Sequence, residues 1–245
     1  FYIVIVDLAV GGVSSITATL LMVTYTYFWQ LDATQTSLLF AGPILLAVLI
    51  SAVFSRSLNR LFEKQQILRL TCALTSINLI WLTPLKLFDL LPDNSTVVFA
   101  LICVNWAIHM TMTILRVITV HSLLADIVDE QVLATGKRQE GVVFAVAFFS
   151  SKFMGAFGYI IVGPFLDLIG LQAGAQPGDV SNTVVWGLGL LMGPGLAIIM
   201  LLPIWMSFKV DMSHANQLKV RKTLSQREKA AKSSDSVPVS ITRST

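Results

Sequence analysis

The sequence is poor in charge. Only 13% of its 245 residues are charged, whereas 55% are hydrophobic; a soluble domain carries about 25% charged residues. So few charges are too few to cover the surface of a soluble domain of this size. The composition therefore excludes an ordinary cytosolic globular protein and indicates a chain that lies in a lipid bilayer.

Residues that bind metals or form disulfides are also scarce. The two cysteines, Cys72 and Cys103, lie inside apolar runs, where a free thiol behaves as a small hydrophobic side chain. The sequence contains no CxxC or HExxH motif, and its three histidines, His109, His121 and His214, do not cluster. We therefore expect no metal site, no cofactor and no enzymatic activity.

Long apolar runs make up most of the remaining sequence. A membrane-spanning helix needs about 20 predominantly apolar residues, and six segments meet this requirement. They are residues 2–29, 38–54, 67–88, 97–124, 142–168 and 184–208. Strands of a membrane β-barrel would alternate in polarity, whereas these runs are continuous. The sequence predicts an all-α polytopic membrane protein with six transmembrane helices in residues 1–209 and a basic tail in residues 210–245.

Lysine and arginine are distributed asymmetrically along the chain. Of these 17 residues, 14 lie in or beside the segments that follow the second and fourth spans, or in the tail. Because positively charged loops stay in the cytoplasm, this pattern predicts a cell (inner) membrane protein with its carboxy-terminus in the cytoplasm. The first part of the tail is expected to lie along the anionic leaflet of the membrane. The part from Ser233 onward is expected to be disordered. The chain begins at Phe1 and is apolar almost at once, so we expect it to start inside a longer protein.

Several polar side chains lie within the predicted spans, where each charge costs at least about 2.5–3.5 kcal/mol on insertion scales. Lys152 is in the middle of its span and must face a carboxylate, a ligand or a wet cavity, or form a structural ion pair with another helix. Asp7 either belongs to such a site or points to interfacial water. Arg116 is expected to snorkel to the membrane surface. Trp106 and His109 share a helix face and either bind a sugar-like ligand or pack together.

Small residues at helical spacing predict close contacts between helices in the membrane. Ala147, Ser151 and Gly155 form one row, with Gly163 two turns further along. The glycines around Pro194 predict a kinked or closely packed last span.

Two polar segments, 122–130 (SLLADIVDE) and 134–141 (ATGKRQEG), carry the most specific signal. They resemble the loop between the tenth and eleventh helices of the glycoside–pentoside–hexuronide:cation symporters, a branch of the major facilitator superfamily. The similarity continues through residues 144–158, 167–170, 193–195 and His214, and so covers nearly the whole chain. It implies the carboxy-terminal half, helices seven to twelve, of a twelve-helix transporter that moves a sugar or glycoside with Na⁺ or H⁺.

The resemblance also implies where the site lies. The family's mid-membrane lysine of helix eleven corresponds to Lys152, near the cation and sugar sites. The predicted substrate and cation cavity consists of Lys152, Ser151, Phe148, Asp7, Trp106 and His109. The family's acidic cation ligands and main sugar-binding carboxylates lie in the amino-terminal half. The expected partners are therefore that missing half, a small-molecule substrate and membrane lipids, without nucleic acid.

The charged segment after the fourth span is predicted to form a cytoplasmic gate. Asp126, Asp129 and Glu130 precede a turn, and Lys137 and Arg138 follow it. Both charge signs are thus available for contacts with the other half and with the neighbouring basic loop. The alternative is that these charges only solvate a loop, since exposed pairs contribute about 0–1 kcal/mol each.

Other functions stay open at this point. A carrier of lipids or other amphiphiles belongs to the same broad class, because some members of the wider branch carry lipids. A membrane-embedded enzyme would need a nucleophile with its base or a metal triad, and the sequence offers neither. A non-transporting membrane sensor is conceivable, although the tail is too poor in apolar residues to form a catalytic domain.

Overall fold

The computed structural model describes residues 2–137, 139–172 and 174–208, together with residues 223 and 226. This part of the chain consists of helices and their connections and contains no β-strand. The helices are α1 (Tyr2–Val23), α2 (Ala33–Leu61), α3 (Lys64–Leu87), α4 (Ser95–Thr135), α5 (Glu140–Leu168), α6 (Asn182–Leu190) and α7 (Leu196–Ser207). Two π-helical segments interrupt them, the first π segment (Thr24–Phe28) after α1 and the second (Leu191–Gly195) between α6 and α7. The predicted tail lies almost entirely outside the described residues.

Six stretches are long and apolar enough to cross a membrane, which confirms the predicted fold class and number of spans. They are Ile5–Phe28, Ala33–Leu61, Lys64–Leu87, Ser95–Thr135, Glu140–Leu168 and Asn182–Ser207. Continuous apolar runs become helices in lipid because only a helix satisfies every backbone N–H and C=O group within its own segment.

The second span is longer than predicted. α2 starts at Ala33 because Asp32 caps it: the Asp32 carboxylate accepts a hydrogen bond from Gln35 N (2.7 Å), and the Gln35 side chain accepts one from Asp32 N (3.1 Å). At its other end α2 continues to Leu61, through residues that were expected to form a loop. Hydropathy shows where apolar character ends, whereas capping determines where a helix begins.

The loop predicted after the fourth span is mostly helix. α4 continues to Thr135 and ends where Gly136 adopts the left-handed conformation (φ 71°), with its N–H bonded to Val132 O. Glycine takes this conformation without the steric cost that other residues pay. Most of the predicted gate residues are therefore on a helix, not on a flexible turn.

The six spans pack as two groups. α1 packs along α5 and α7, α4 packs along α2 and α3, and α3 also contacts α7, which joins the groups. α4 contacts α1 and α5 less extensively. We call the end of the bundle where α2 ends, α3 begins and α4 ends the basic end, because Arg56, Arg60, Lys64 and Lys137 lie there.

α1 and α5 approach closely at Ser15. Ser15 Oγ donates a hydrogen bond to Gly155 O (2.7 Å) and accepts one from Gly158 N (3.0 Å). A Cβ atom at Gly158 would lie 2.6 Å from the Ser15 carbonyl oxygen, whereas one at Gly155 or Gly163 would meet nothing within 4 Å. The predicted row of small residues is therefore wrong about which glycine allows the close approach, because α5 is rotated so that Gly158 faces α1.

The last span is irregular at Pro194, as its glycines predicted. The second π segment surrounds this proline, which cannot donate a backbone hydrogen bond. Gly193 packs directly against the Thr83 side chain of α3, and a Cβ atom there would collide with the Thr83 hydroxyl. Because Gly193 has no side chain, the backbone of the second π segment contacts α3 directly.

Candidate functional site

A cavity of about 180 Å³ lies between α1, α4 and α5, in the half of the bundle nearest the basic end. Its polar lining comes from Asp7 of α1, His121 of α4 and Ser151 of α5. Phe148 of α5 also lines it, and its ring centroid lies 6.0 Å from that of His121. The structure therefore brings together three of the predicted site residues, Asp7, Phe148 and Ser151.

His121 was absent from the predicted site. It lies on α4 and within electrostatic range of the Asp7 carboxylate. The sequence feature that could have identified it is an imidazole side chain in the last turns of the fourth apolar run. Sequence alone could not pair His121 with Asp7, because they are on different helices and more than 100 positions apart.

Arg116 is a buried cation. Only 6% of its surface is exposed, and its Nη2 donates a hydrogen bond to Ser14 Oγ over 3.4 Å. It lies within electrostatic range of both Asp7 and His109. The expectation that Arg116 snorkels is therefore wrong, because its guanidinium group is enclosed within the bundle rather than extended to the membrane surface.

Lys152 lies on the surface of the bundle. It is in the middle of α5, its side chain is exposed, and it does not line the 180 Å³ cavity, although its neighbour Ser151 does. Phe149 and Phe153 beside it are 71% and 54% exposed. Phe149, Lys152 and Phe153 thus share an exposed face of α5.

Trp106 and His109 form a separate aromatic group. The His109 ring stacks on Trp106 with centroids 5.6 Å apart and an interplanar angle of 9°. Tyr25 and Phe40 contact Trp106 edge-on, at 6.1 and 5.7 Å. The structure thus has the packed arrangement, in which an imidazole ring covers a face of Trp106. Trp106 and His109 also line a second cavity, of about 50 Å³.

The basic end contains an ion pair between α3 and α4. Lys64 Nζ lies 2.5 Å from Asp126 Oδ2 and 3.4 Å from Ser122 O. The Asp126 side chain is only 4% exposed. This is a contact between the predicted gate segment and the neighbouring basic segment.

The other predicted gate residues have different surroundings. Asp129 and Glu130 are half-buried on α4, and Lys137 is exposed just beyond the end of that helix. Arg138 lies outside the described residues. Of the four predicted gate residues that the structure describes, Asp126 forms an ion pair with another helix.

Among the described residues, no group of three or more histidine, cysteine or acidic side chains is arranged to hold a metal ion. The polar chemistry of the 180 Å³ cavity is that of one carboxylate, one imidazole and one hydroxyl group. Such groups can bind hydroxyl-bearing ligands or exchange protons.

The comparisons with known proteins agree with this architecture. A family model described as MFS/sugar transport protein matches residues 1–212. No curated protein and no solved structure matches the chain significantly. The family match covers most of the chain and includes all six spans and both cavities. The chain is therefore an integral membrane protein of the MFS/sugar transport protein family, within the major facilitator superfamily of transporters.

Proposed function

We propose that this chain is the carboxy-terminal half of a twelve-helix glycoside–pentoside–hexuronide:cation symporter, which moves a sugar or glycoside together with Na⁺ or H⁺. The observation that carries the proposal is the exposed lysine in the middle of α5. A lysine at this depth costs at least about 2.5–3.5 kcal/mol in lipid. The surface around Lys152 therefore needs to be covered by water or by another protein surface that carries negative charge.

A second half-transporter meets that requirement. The halves of major facilitator transporters are parallel repeats that hold the substrate between them near the midplane. In this arrangement the surface of α5 around Lys152 faces the amino-terminal half. Ser151, which is adjacent in sequence, connects this surface to the cavity that contains Asp7 and His121.

Lys152 is the coupling residue in this proposal. In the absence of the cation its ammonium group pairs with carboxylates of the amino-terminal half, and binding of the cation releases it. A cation that favours one arrangement of the two halves over the other shifts the equilibrium between them. The charge of the helix surfaces next to Lys152 is determined by Asp7, Arg116 and His121.

In this proposal Trp106 and His109 line the separate cavity of about 50 Å³ and do not form a stacking platform for the sugar. His109 already stacks on Trp106, and Trp106 is only 6% exposed. A sugar ring would have to displace the imidazole ring before it could stack on that face.

The basic end faces the cytoplasm of the cell (inner) membrane in this proposal, and the Lys64–Asp126 pair is part of the cytoplasmic gate. Exposed ion pairs contribute little. Asp126 is buried, however, and breaking a buried pair leaves a charge in a poor environment at a cost of about 3–5 kcal/mol. Asp129, Glu130, Lys137 and Arg138 complete the charged surface that meets the other half.

Counterflow is the most direct test. The full-length protein is reconstituted into liposomes loaded with an unlabelled glycoside, pentose or hexuronide, and entry of the labelled sugar is measured with Na⁺ and with a pH gradient. We expect exchange of at least one sugar and dependence on one of the cations. Exchange of a lysolipid that sugars do not compete with would instead identify an amphiphile carrier. No exchange of any sugar by the folded protein would contradict the proposal.

A further inference from the structure

The cavity of about 50 Å³ lies among α1, α3, α4 and the two π segments, and polar side chains form part of its lining. Thr24 and Tyr25 of the first π segment border it on one side, Met192 of the second π segment on another, and Asn105 and Trp106 of α4 on a third. Both irregular helix segments of the structure therefore meet at this cavity.

Two polar atoms in the lining have no hydrogen-bond partner among the described residues. They are the indole Nε1 of Trp106 and the Oγ1 of Thr24. Trp106 is 6% exposed and Thr24 is 2% exposed, so bulk water does not reach them freely. A buried donor or acceptor without a partner bears its full desolvation cost.

Four neighbouring polar side chains already have partners. Asn78 and Asn105 each donate a side-chain hydrogen bond to the backbone carbonyl of the other, at 3.1 and 3.0 Å. Thr17 donates to Val13 O at 2.8 Å, and Thr83 donates to Leu79 O at 3.3 Å. Within the described part of the chain, Trp106 Nε1 and Thr24 Oγ1 are thus fully buried atoms of the lining that have no partner.

We propose that this cavity is a binding site for ordered water, in which one or two molecules bridge the Trp106 indole N–H and the Thr24 hydroxyl group. A water molecule needs about 10–15 Å³ of such space and two to four polar partners, and the cavity provides the space. Water accepts the indole hydrogen bond, and it can either donate to or accept from the threonine hydroxyl. An apolar lipid chain could do neither.

The position of the site gives the water a structural role. A π-helical turn shifts the backbone hydrogen-bond register, and such segments occur frequently at functional sites. Water between the two π segments forms hydrogen bonds that can break and form again. A packed side chain would instead hold the two segments at a fixed distance. The proposed water site does not depend on which substrate the protein carries or on which ion is coupled to transport.

Water–protein NMR tests this assignment. The full-length protein is perdeuterated, labelled with ¹⁵N at the tryptophan indole nitrogens and placed in lipid nanodiscs, and cross-peaks between water and the indole N–H protons are recorded. Trp106→Phe and Trp81→Phe identify the two signals of interest. Trp81 is the internal control, because its Nε1 already donates to Asn78 Oδ1 at 3.1 Å.

We expect a cross-peak between water and the Trp106 indole proton and none for Trp81. In Thr24→Val, which keeps the shape of the side chain but removes its hydroxyl group, the Trp106 cross-peak should be lost. Thr17→Val is the matched control, because Thr17 lines the same cavity with its hydroxyl already bonded. Absence of the Trp106 cross-peak in the wild-type protein, or its full retention in Thr24→Val, would overturn the assignment.

Discussion

Two basic residues at membrane depth have opposite surroundings in this protein. Arg116 is enclosed, bonded to Ser14 and close enough to Asp7 for electrostatic attraction. Lys152 is exposed on α5. A guanidinium group tolerates burial better than an ammonium group, because it is more weakly hydrated and forms several directed hydrogen bonds. Arg116 is thus part of the fold, whereas Lys152 is available for a partner.

The first prediction follows from this difference. Lys152→Gln in the full-length protein should reduce cation-coupled uptake by more than about tenfold, the change produced by about 1.4 kcal/mol, because the cation-dependent ion pair is lost. Expression should be unchanged, because Lys152 is exposed on α5 and its replacement removes no packing within this six-helix bundle. Uptake into vesicles with and without the cation gradient measures the first effect, and size-exclusion chromatography measures the second.

Arg56→Gln is the matched control for Lys152→Gln. Arg56 is also exposed but lies near the basic end, away from the middle of the membrane, so its loss should leave uptake near the wild-type rate. Normal coupled uptake by Lys152→Gln would show that the lysine has no coupling role.

At the scale of elements, the contact between α1 and α5 depends on the absence of a side chain at Gly158. Gly158→Ala places a methyl group against the Ser15 backbone and should destabilise the protein by about 1–3 kcal/mol, the usual cost of overpacking. Gly155→Ala on the same helix is the control, because its methyl group meets nothing within 4 Å. Thermal unfolding in detergent, followed by tryptophan fluorescence, compares the two variants, and equal midpoints would contradict the close packing of α1 and α5.

The ion pair between α3 and α4 leads to the second element-scale prediction. Asp126→Asn leaves the half-buried Lys64 without its charged partner and should shift the full-length protein towards the state that is open at the basic end. Arg138→Gln should shift it in the same direction. Alkylation of a cysteine introduced on the cavity side of α4 measures this accessibility. Glu63→Gln, an exposed acid at the same end, should have no effect; unchanged transport and accessibility in both gate variants would refute the gate.

At the scale of the whole molecule, burial is uneven among the spans. In the most apolar part of α3, 56% of the residues are buried, compared with 17% for α4 and α5. A six-helix bundle therefore leaves large faces of α4 and α5 uncovered, one of which carries Lys152. Lipid can cover the apolar parts of these faces, whereas the charge needs water or, as proposed above, a second protein surface.

The basic tail should be dispensable for transport. It follows the last apolar run of the sequence, and its lysines and arginines are each expected to add about 1 kcal/mol of attraction to anionic lipids. Removal of residues 233–245 should leave the Michaelis constant and maximal rate of uptake unchanged, with at most a lower expression level. A large change in apparent sugar affinity would show that the tail acts on the transport site.

Several features follow directly from the sequence. Apolar runs of sufficient length have to form helices in lipid, because no other open structure satisfies the backbone there, so the number of spans could be predicted. Glycines and a proline at residues 193–195 predicted the irregular last span. The segments 122–130 and 134–141 resembled a transporter family, and the family match agrees at the level of the superfamily.

Other features were decided by the tertiary structure. A span that is apolar on all sides does not indicate which face points inward, because helix faces in a membrane are selected by packing and not by hydrophobicity. For this reason the sequence predicted close packing at Gly155 and Gly163, whereas the glycine that leaves no room for a side chain is Gly158, which lies against Ser15. The burial of Arg116 and the position of Asp7 and His121 on one cavity likewise depend on how α1 and α4 are rotated about their axes.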